Sequence, residues 1–250
     1  MRLVWTYNGN PVTLDKSDYK TIVRINYYIT SISIAKRMGY KTVMYCDKFS
    51  FKYFHTLVDE IYVLPQYDTP FWDVYKIDVL ERESGDYCLI DGDILLHDKL
   101  PELTADLTID CFEIKTFKNY YKPTIDLLTE LGIKEVVPEW ENREQNMINH
   151  GIMCFRNDTF KHLYLERWKA YGEFINKNRD KIEDMTYASL ASQYVLVVLM
   201  NANPQWKVQN LSNKLGKPNE YYTHFAGDMK FDNPKVPSDK LITLKEKEWI

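Results

Sequence analysis

Asp91 and Asp93, separated by Gly92, follow the apolar run Tyr87-Cys88-Leu89-Ile90. A run of that length and composition suits a buried strand, so two carboxylates stand where a strand ends. In extended backbone, residues two apart share a face, and a glycine between them leaves the backbone open to close approach. Two hard oxygen ligands on one side of a turn suit Mg or Mn. Ordinary turn chemistry is the alternative, because Asp-Gly serves that purpose equally well. A second cluster, His224-Phe225-Ala226-Gly227-Asp228-Met229-Lys230, supplies complementary groups. A neutral imidazole at His224 can complete a Mn site begun by Asp91 and Asp93. Gly227 permits a tight turn, and Lys230 can neutralise phosphate oxygens as a point charge. Together the two clusters describe a diphosphate held between a metal and a lysine. Taken alone, the second is equally a surface loop with a chance His and Lys.

The elements that must position these groups alternate in type. Leu3 to Thr6 reads as a first strand, ended by the turn formers Tyr7-Asn8-Gly9-Asn10-Pro11, and a ligand-facing loop is expected there. A helix from about Asp18 to Met38, capped by Ser17, has Lys36-Arg37 in its last turn and Gly39 beyond it. Then follow a strand over 42–46, a short helix over 47–58, a strand over 61–64 and a helix over 72–83 that leads to the strand before Asp91. Such alternation predicts a mostly parallel sheet with helices on its faces, and ligands bind such sheets at the carboxyl ends of the strands. The second half is less regular. Strands are expected over 107–114 and 148–155, and helices over 124–131, from Asn157 or Asp158 to Lys177, and over 186–200. A polar loop over 136–147 and a Pro-punctuated tail complete the chain.

Composition narrows the function classes. The 250 residues suffice for one large α/β domain or two small ones. With 27% charged and 45% apolar residues the chain reads as globular. Its 14% aromatic content suits sugar-stacking surfaces and compact cores alike. Net charge is −4 and the cations are spread without a basic block, which excludes the electrostatic footprint of nucleic-acid binding. Cys46, Cys88, Cys111 and Cys154 sit in apolar runs without CxxC spacing and read as buried thiols. No signal peptide and no transmembrane stretch of roughly 18 apolar residues occurs, so a cytoplasmic protein is expected, with peripheral membrane contact left open. No pattern specifies an oligomeric state.

Asp91-Gly92-Asp93 after a hydrophobic strand, Asn149-x-Gly151-Ile152-Met153 and His224-x-x-Gly227-x-x-Lys230 occur in that order. In this the chain resembles the GT-A-fold glycosyltransferases, most closely family 8, the lipopolysaccharide galactosyl- and glucosyltransferase and glycogenin type. The match covers about residues 3 to 230. The resemblance implies one GT-A (Rossmann-like) α/β domain with helices on both faces of a mostly parallel sheet. Residues 1–100 would form a nucleotide-binding half, 101–230 a sugar and acceptor half, and 231–250 a tail. It implies Asp91, Asp93 and His224 as ligands of Mn2+ or Mg2+, with Gly92, Gly227 and Lys230 against the donor diphosphate and Asn149 and Gly151 lining the donor sugar. Thr6, Tyr7 and Asn8 fall where the family's first strand meets the nucleoside base. Lys76 lies near a basic residue that contacts the donor, although a solvated helix face is an equal reading. Gln193 inherits a role near the reacting sugar beside Asp93, although its apolar surroundings also suit a satisfied core amide. Two departures stand out: Ser192 replaces a family acid, and Phe231-Asp232 replaces Pro-Trp.

The implied activity is metal-dependent transfer of a hexose from a nucleotide-diphosphate sugar, UDP being favoured by resemblance alone, to a hydroxyl acceptor such as a saccharide. Family 8 implies retention, which requires no strong general base; an inverting reaction would need one, with Glu183 or Asp184 as first candidates. Three rivals are a haloacid-dehalogenase-type phosphatase, a nucleotidyltransferase, which would need a Gly-rich phosphate loop after the first strand that is absent here, and a catalytically silent sugar- or nucleotide-binding protein of the same fold. The phosphatase is disfavoured because Ile94 stands where a Thr is expected.

Overall fold

The computed structural model describes residues 1–9, 19–67, 69, 71, 73–113, 121–143, 146–212 and 218–226. In chain order the elements are β1 (Arg2–Tyr7), α1 (Tyr19–Arg37), β2 (Lys41–Cys46), α2 (Phe51–Phe54), β3 (Glu60–Val63), α3 (Val74–Arg82), β4 (Tyr87–Ile90), β5 (Ile94–Leu96), β6 (Leu107–Glu113), α4 (Lys122–Glu130), β7 (Met147–Phe155), α5 (Asp158–Lys177), α6 (Met185–Leu190), α7 (Ser192–Ala202), β8 (Val208–Ser212) and β9 (Tyr222–His224). They fall into two compact units, each assembled from separate chain segments. One comprises Met1–Tyr67, Glu83–Leu103 and Leu215–Ile250, the other Asp68–Arg82 and Thr104–Lys214. The fold class is α/β as expected. In the first unit four strands lie in the order β3-β2-β1-β4, each parallel to its neighbours, and in the second three strands lie in the order β7-β6-β8.

In the first unit β1 runs parallel to β2 and β4, with Val4 opposite Val43 and Leu89. Leu3, Val4 and Trp5 are wholly buried, which is why this strand reads as a continuous apolar run. Gly39 closes α1 at φ 82°, a left-handed conformation that glycine adopts without strain. The helix expected over 47–58 contracts to the single turn of α2. Just ahead of it Asp47 binds the turn in the manner of a helix cap: its Oδ1 accepts the Phe49 and Ser50 amides at 2.7 and 2.9 Å, and its Oδ2 accepts the Ser50 hydroxyl and the Gly9 amide. It also ties the end of β2 to the segment after β1.

The second unit departs from an all-parallel pattern, because β7 runs antiparallel to β6, whose other neighbour β8 is parallel. The helix expected over 186–200 is divided at Ala191 into α6 and α7. Asn157 caps α5, accepting the Phe160 amide at 3.0 Å. The stretch expected as a polar loop over 136–147 contributes a core residue, Trp140, packed edge-on against Tyr194 with centroids 5.0 Å apart. All four cysteines are buried free thiols. The cap expected at Ser17 and the tail at 231–250 lie outside the described residues. Among the described residues, no helix is long and apolar enough to cross a membrane.

This unit also buries a carboxylate. Asp73 is 1% exposed, and its Oδ2 accepts hydrogen bonds from Ser192 Oγ at 2.8 Å and Trp168 Nε1 at 3.1 Å. Burial pushes its pKa up from 3.8 to about 6, against the two hydrogen bonds and the charge of Lys76, which pull it down. A folded-state pKa above the unfolded one means that this group's stabilisation is complete below the unfolded pKa and is lost as pH rises through about 6. At about 1.4 kcal/mol per pKa unit the full span is ~3 kcal/mol, and roughly 1 to 1.5 kcal/mol of it falls between pH 7.5 and 5. Denaturant titrations should therefore show the wild type gaining that much more stability than Asp73→Asn when pH is lowered from 7.5 to 5. Parallel pH dependences for the two proteins would show that the carboxylate is not buried as described.

Candidate metal centre

The three candidate ligands converge within the first unit. One ligand atom each from Asp91, Asp93 and His224 lies within 4.8 Å of the other two. His224 Nε2 is 3.4 Å from Asp93 Oδ1, and His224 is 4% exposed. The convergence has a local cause. Strand β4, buried at all four residues, delivers the chain to the turn, which closes with the Ile94 amide donating to Asp91 O at 3.1 Å. Strand β5 then pairs antiparallel with β9 in a register that sets Ile94 opposite His224. One residue beyond that pair, the Phe225 amide donates to Asp93 O at 2.9 Å. The far end of the pairing is held by the His97 Nε2 contact with Thr223 Oγ1 at 2.6 Å. Asn219 Oδ1 accepts the Tyr221 and Tyr222 amides and turns the chain into β9.

Beneath the turn lies Tyr28 of α1, a residue that no sequence motif distinguished. A Cβ placed on Gly92 would fall 2.2 Å from Tyr28 Cδ2, so only glycine lets the acidic turn settle on the ring. The Tyr28 hydroxyl donates to Thr6 O at 2.9 Å, which fixes the hydroxyl end of the ring. Burial, then the charges of Asp91 and Asp93, hold the Tyr28 phenol well above its usual pKa. It stays a neutral platform. Ser31, also on α1, donates to Ile94 O at 2.7 Å and receives Trp5 Nε1 at 3.2 Å. Two carboxylates and one imidazole are hard oxygen and borderline nitrogen donors, the set that suits Mn2+ or Mg2+.

Other residues singled out in the sequence fall as follows. Tyr7 is packed edge-on against Tyr28 and Phe54, with centroids 4.9 and 5.4 Å away, and burial pushes its pKa up to about 12. Thr6 is half-buried and Asn8 is exposed. In the second unit Lys76 is 5% exposed and donates from Nζ to His150 O at 2.9 Å, which corrects the solvated-face reading: its apolar stem is covered and its ammonium is satisfied by backbone. Half-buried Asn149 donates to Glu113 Oε1 at 2.8 Å, and its Oδ1 accepts the amide of buried Gly151 at 2.7 Å. Gln193 is buried on α7, and its Oε1 has no hydrogen-bond partner among the described residues. Glu183 and Asp184 are exposed ahead of α6. Gly227 and Lys230 lie outside the described residues.

The contact between Gly92 and Tyr28 generates a test. Gly92→Ala must displace a ring fixed at both ends, and overpacking of this kind costs about 1–3 kcal/mol. Thermal unfolding should show a clear loss of stability in Gly92→Ala, and Tyr28→Leu in the same background should recover part of it. An unaltered melting temperature for Gly92→Ala would mean that the turn does not rest on Tyr28.

No curated protein sequence matches the chain. Among solved structures, mouse xyloside xylosyltransferase 1 in its apo form is similar at 9% identity and a TM-score of 0.40, with 84% of each chain covered. The apo bifunctional glycosyltransferase WbbM is similar at 9% identity and a TM-score of 0.39 over 98% of this chain, which spans about half (51%) of that one. Likeness at these values carries no inference about function. The profile of a family of unknown function (DUF6734) matches residues 25–241, and the chain belongs to that family.

Proposed function

We propose that this protein is a metal-dependent glycosyltransferase that moves a hexose from a nucleotide-diphosphate sugar, with UDP-hexose as the first candidate donor, to a hydroxyl acceptor such as a saccharide, with retention. The observation that carries the reading is the convergence of Asp91, Asp93 and His224 at the end of a buried strand. The order of the three motifs in the sequence supports it further.

In this reading the cation, when bound, neutralises charge that develops on the leaving diphosphate, a term often large in group transfer. The chain's own part is to hold three ligands in place before the donor arrives. Asp91 and Asp93 are held by a turn that Tyr28 supports, and His224 is held by the pairing of β9 with β5. Such preorganisation leaves little to reorder during reaction. Lys230 would carry the second positive charge toward the diphosphate, and Gln193 would sit near the reacting sugar.

The test is a thermal-shift screen of UDP- and GDP-hexoses with and without Mn2+, paired with an assay for donor hydrolysis. A bound ligand at a hundred times its Kd stabilises by ~2.7 kcal/mol. Wild type should show a Mn-dependent shift enlarged by one nucleotide sugar, together with Mn-dependent hydrolysis. Asp93→Ala should lose both while its metal-free melting temperature stays near wild type. Absence of any shift or turnover across the panel in a well-folded protein would refute the transferase and leave a catalytically silent module. Unfolding of Asp93→Ala would assign that carboxylate to structure.

A further inference from the structure

We propose that Asp73 is a positioning residue for transfer, whose carboxylate, acting through the Ser192 hydroxyl, fixes the first turn of α7 and thereby the amide of Gln193. The inference rests on the glycosyltransferase reading and adds a residue that no motif contains.

The geometry lies wholly within the second unit. Helix α7 starts abruptly after α6, and its N-cap, Ala191, has no side chain able to accept the free amides. Its first residue, Ser192, is wholly buried and donates to Asp73 Oδ2 at 2.8 Å. A negative charge beside a helix N-terminus is favourable, so the start of α7 is anchored by hydrogen bond and charge together. Gln193 follows directly. Among the described residues its buried Oε1 has no hydrogen-bond partner, and Asp73 Oδ1 accepts no hydrogen bond from another residue.

Every element around Asp73 contributes a polar or titratable group. Lys76 of α3 brings a positive charge, and its Nζ donates to His150 O of β7. The His150 ring is kept neutral, its pKa pushed down to about 3 by burial and then by the charge of Lys76. From α5 come the Trp168 indole donor and the phenols of Tyr164 and Tyr171, both held neutral by burial, with Tyr171 donating to Ala188 O at 2.6 Å. A carboxylate serving only to join helices could be replaced by apolar side chains of similar volume at little or no loss of stability. Retaining one at a cost in stability at neutral pH is characteristic of a site that uses it.

The experiment measures Mn-dependent hydrolysis of UDP-glucose and UDP-galactose from pH 5 to 8, with kcat and KM determined separately. Wild-type kcat should rise with pH through a midpoint near 6, as Asp73 gains its charge. Asp73→Asn should lose that limb and lower kcat by about 10- to 100-fold, the scale of an ångström-level misplacement, with KM little changed. Ser192→Ala removes a donor that favours the charged carboxylate, so its midpoint should move up in pH. It also provides the test if Asp73→Asn does not fold. The exchange Asp73→Ser/Ser192→Asp rebuilds the pair in reverse and should recover most of the lost kcat. An active wild type whose kcat and pH profile survive both Asp73→Asn and Ser192→Ala overturns the role of Asp73 alone. A wild type that hydrolyses neither donor while binding Mn2+ overturns the transferase reading, and this proposal with it.

Discussion

The antiparallel pairing of Ile94–Leu96 with Tyr222–His224 brings together segments that are distant in sequence; its His97 to Thr223 contact alone spans 126 positions. A two-stranded ribbon of three-residue strands has little stability of its own. It persists because Ile94, Leu95 and Leu96 are buried, because Ser31 of α1 caps the Ile94 carbonyl, and because Asn219 shapes the entry to β9. The register matters more than the area. In a strand of period two, a slip of one residue would turn His224 to the opposite face and remove the nitrogen from the two carboxylates.

The same logic explains the burial around the turn. An acidic pair at a strand end is repulsive, and without support it would splay into water. Here Gly92 rests against the Tyr28 ring, and the Asp91 and Asp93 carbonyls are taken up by the Ile94 and Phe225 amides. The backbone of the turn is therefore fixed by the fold itself. In the second unit a different solution appears. Asp73 is accommodated by two neutral donors and a nearby Lys76, at a cost in stability that reappears as pH dependence.

Much of the first unit was legible in the sequence because parallel strands buried on both faces announce themselves as apolar runs, as at Leu3-Val4-Trp5 and Tyr87–Ile90. Strands β5 and β9 were not, since three residues carry no readable period and their pairing is wholly non-local. The three converging residues, Asp91, Asp93 and His224, were singled out by chemistry and spacing, whereas the residues that hold them were not. Tyr28 and Ser31 lie in a helix where they look like ordinary helix positions. Asp47 was read as the start of a longer helix, whereas its side chain takes the two amides of the turn and the helix itself is only Phe51–Phe54. Asp73 carried no signal, because its partners Trp168 and Ser192 lie 95 and 119 positions away.

Diffraction at the manganese edge from crystals grown with Mn2+ tests the central claim most directly. The account predicts one anomalous peak in the first unit, within about 2–2.4 Å of an oxygen of Asp91, an oxygen of Asp93 and a ring nitrogen of His224, the spacing of first-shell ligands to cations of this size. A peak bound elsewhere, or coordination of the ion by the carboxylates with His224 turned away, would contradict it.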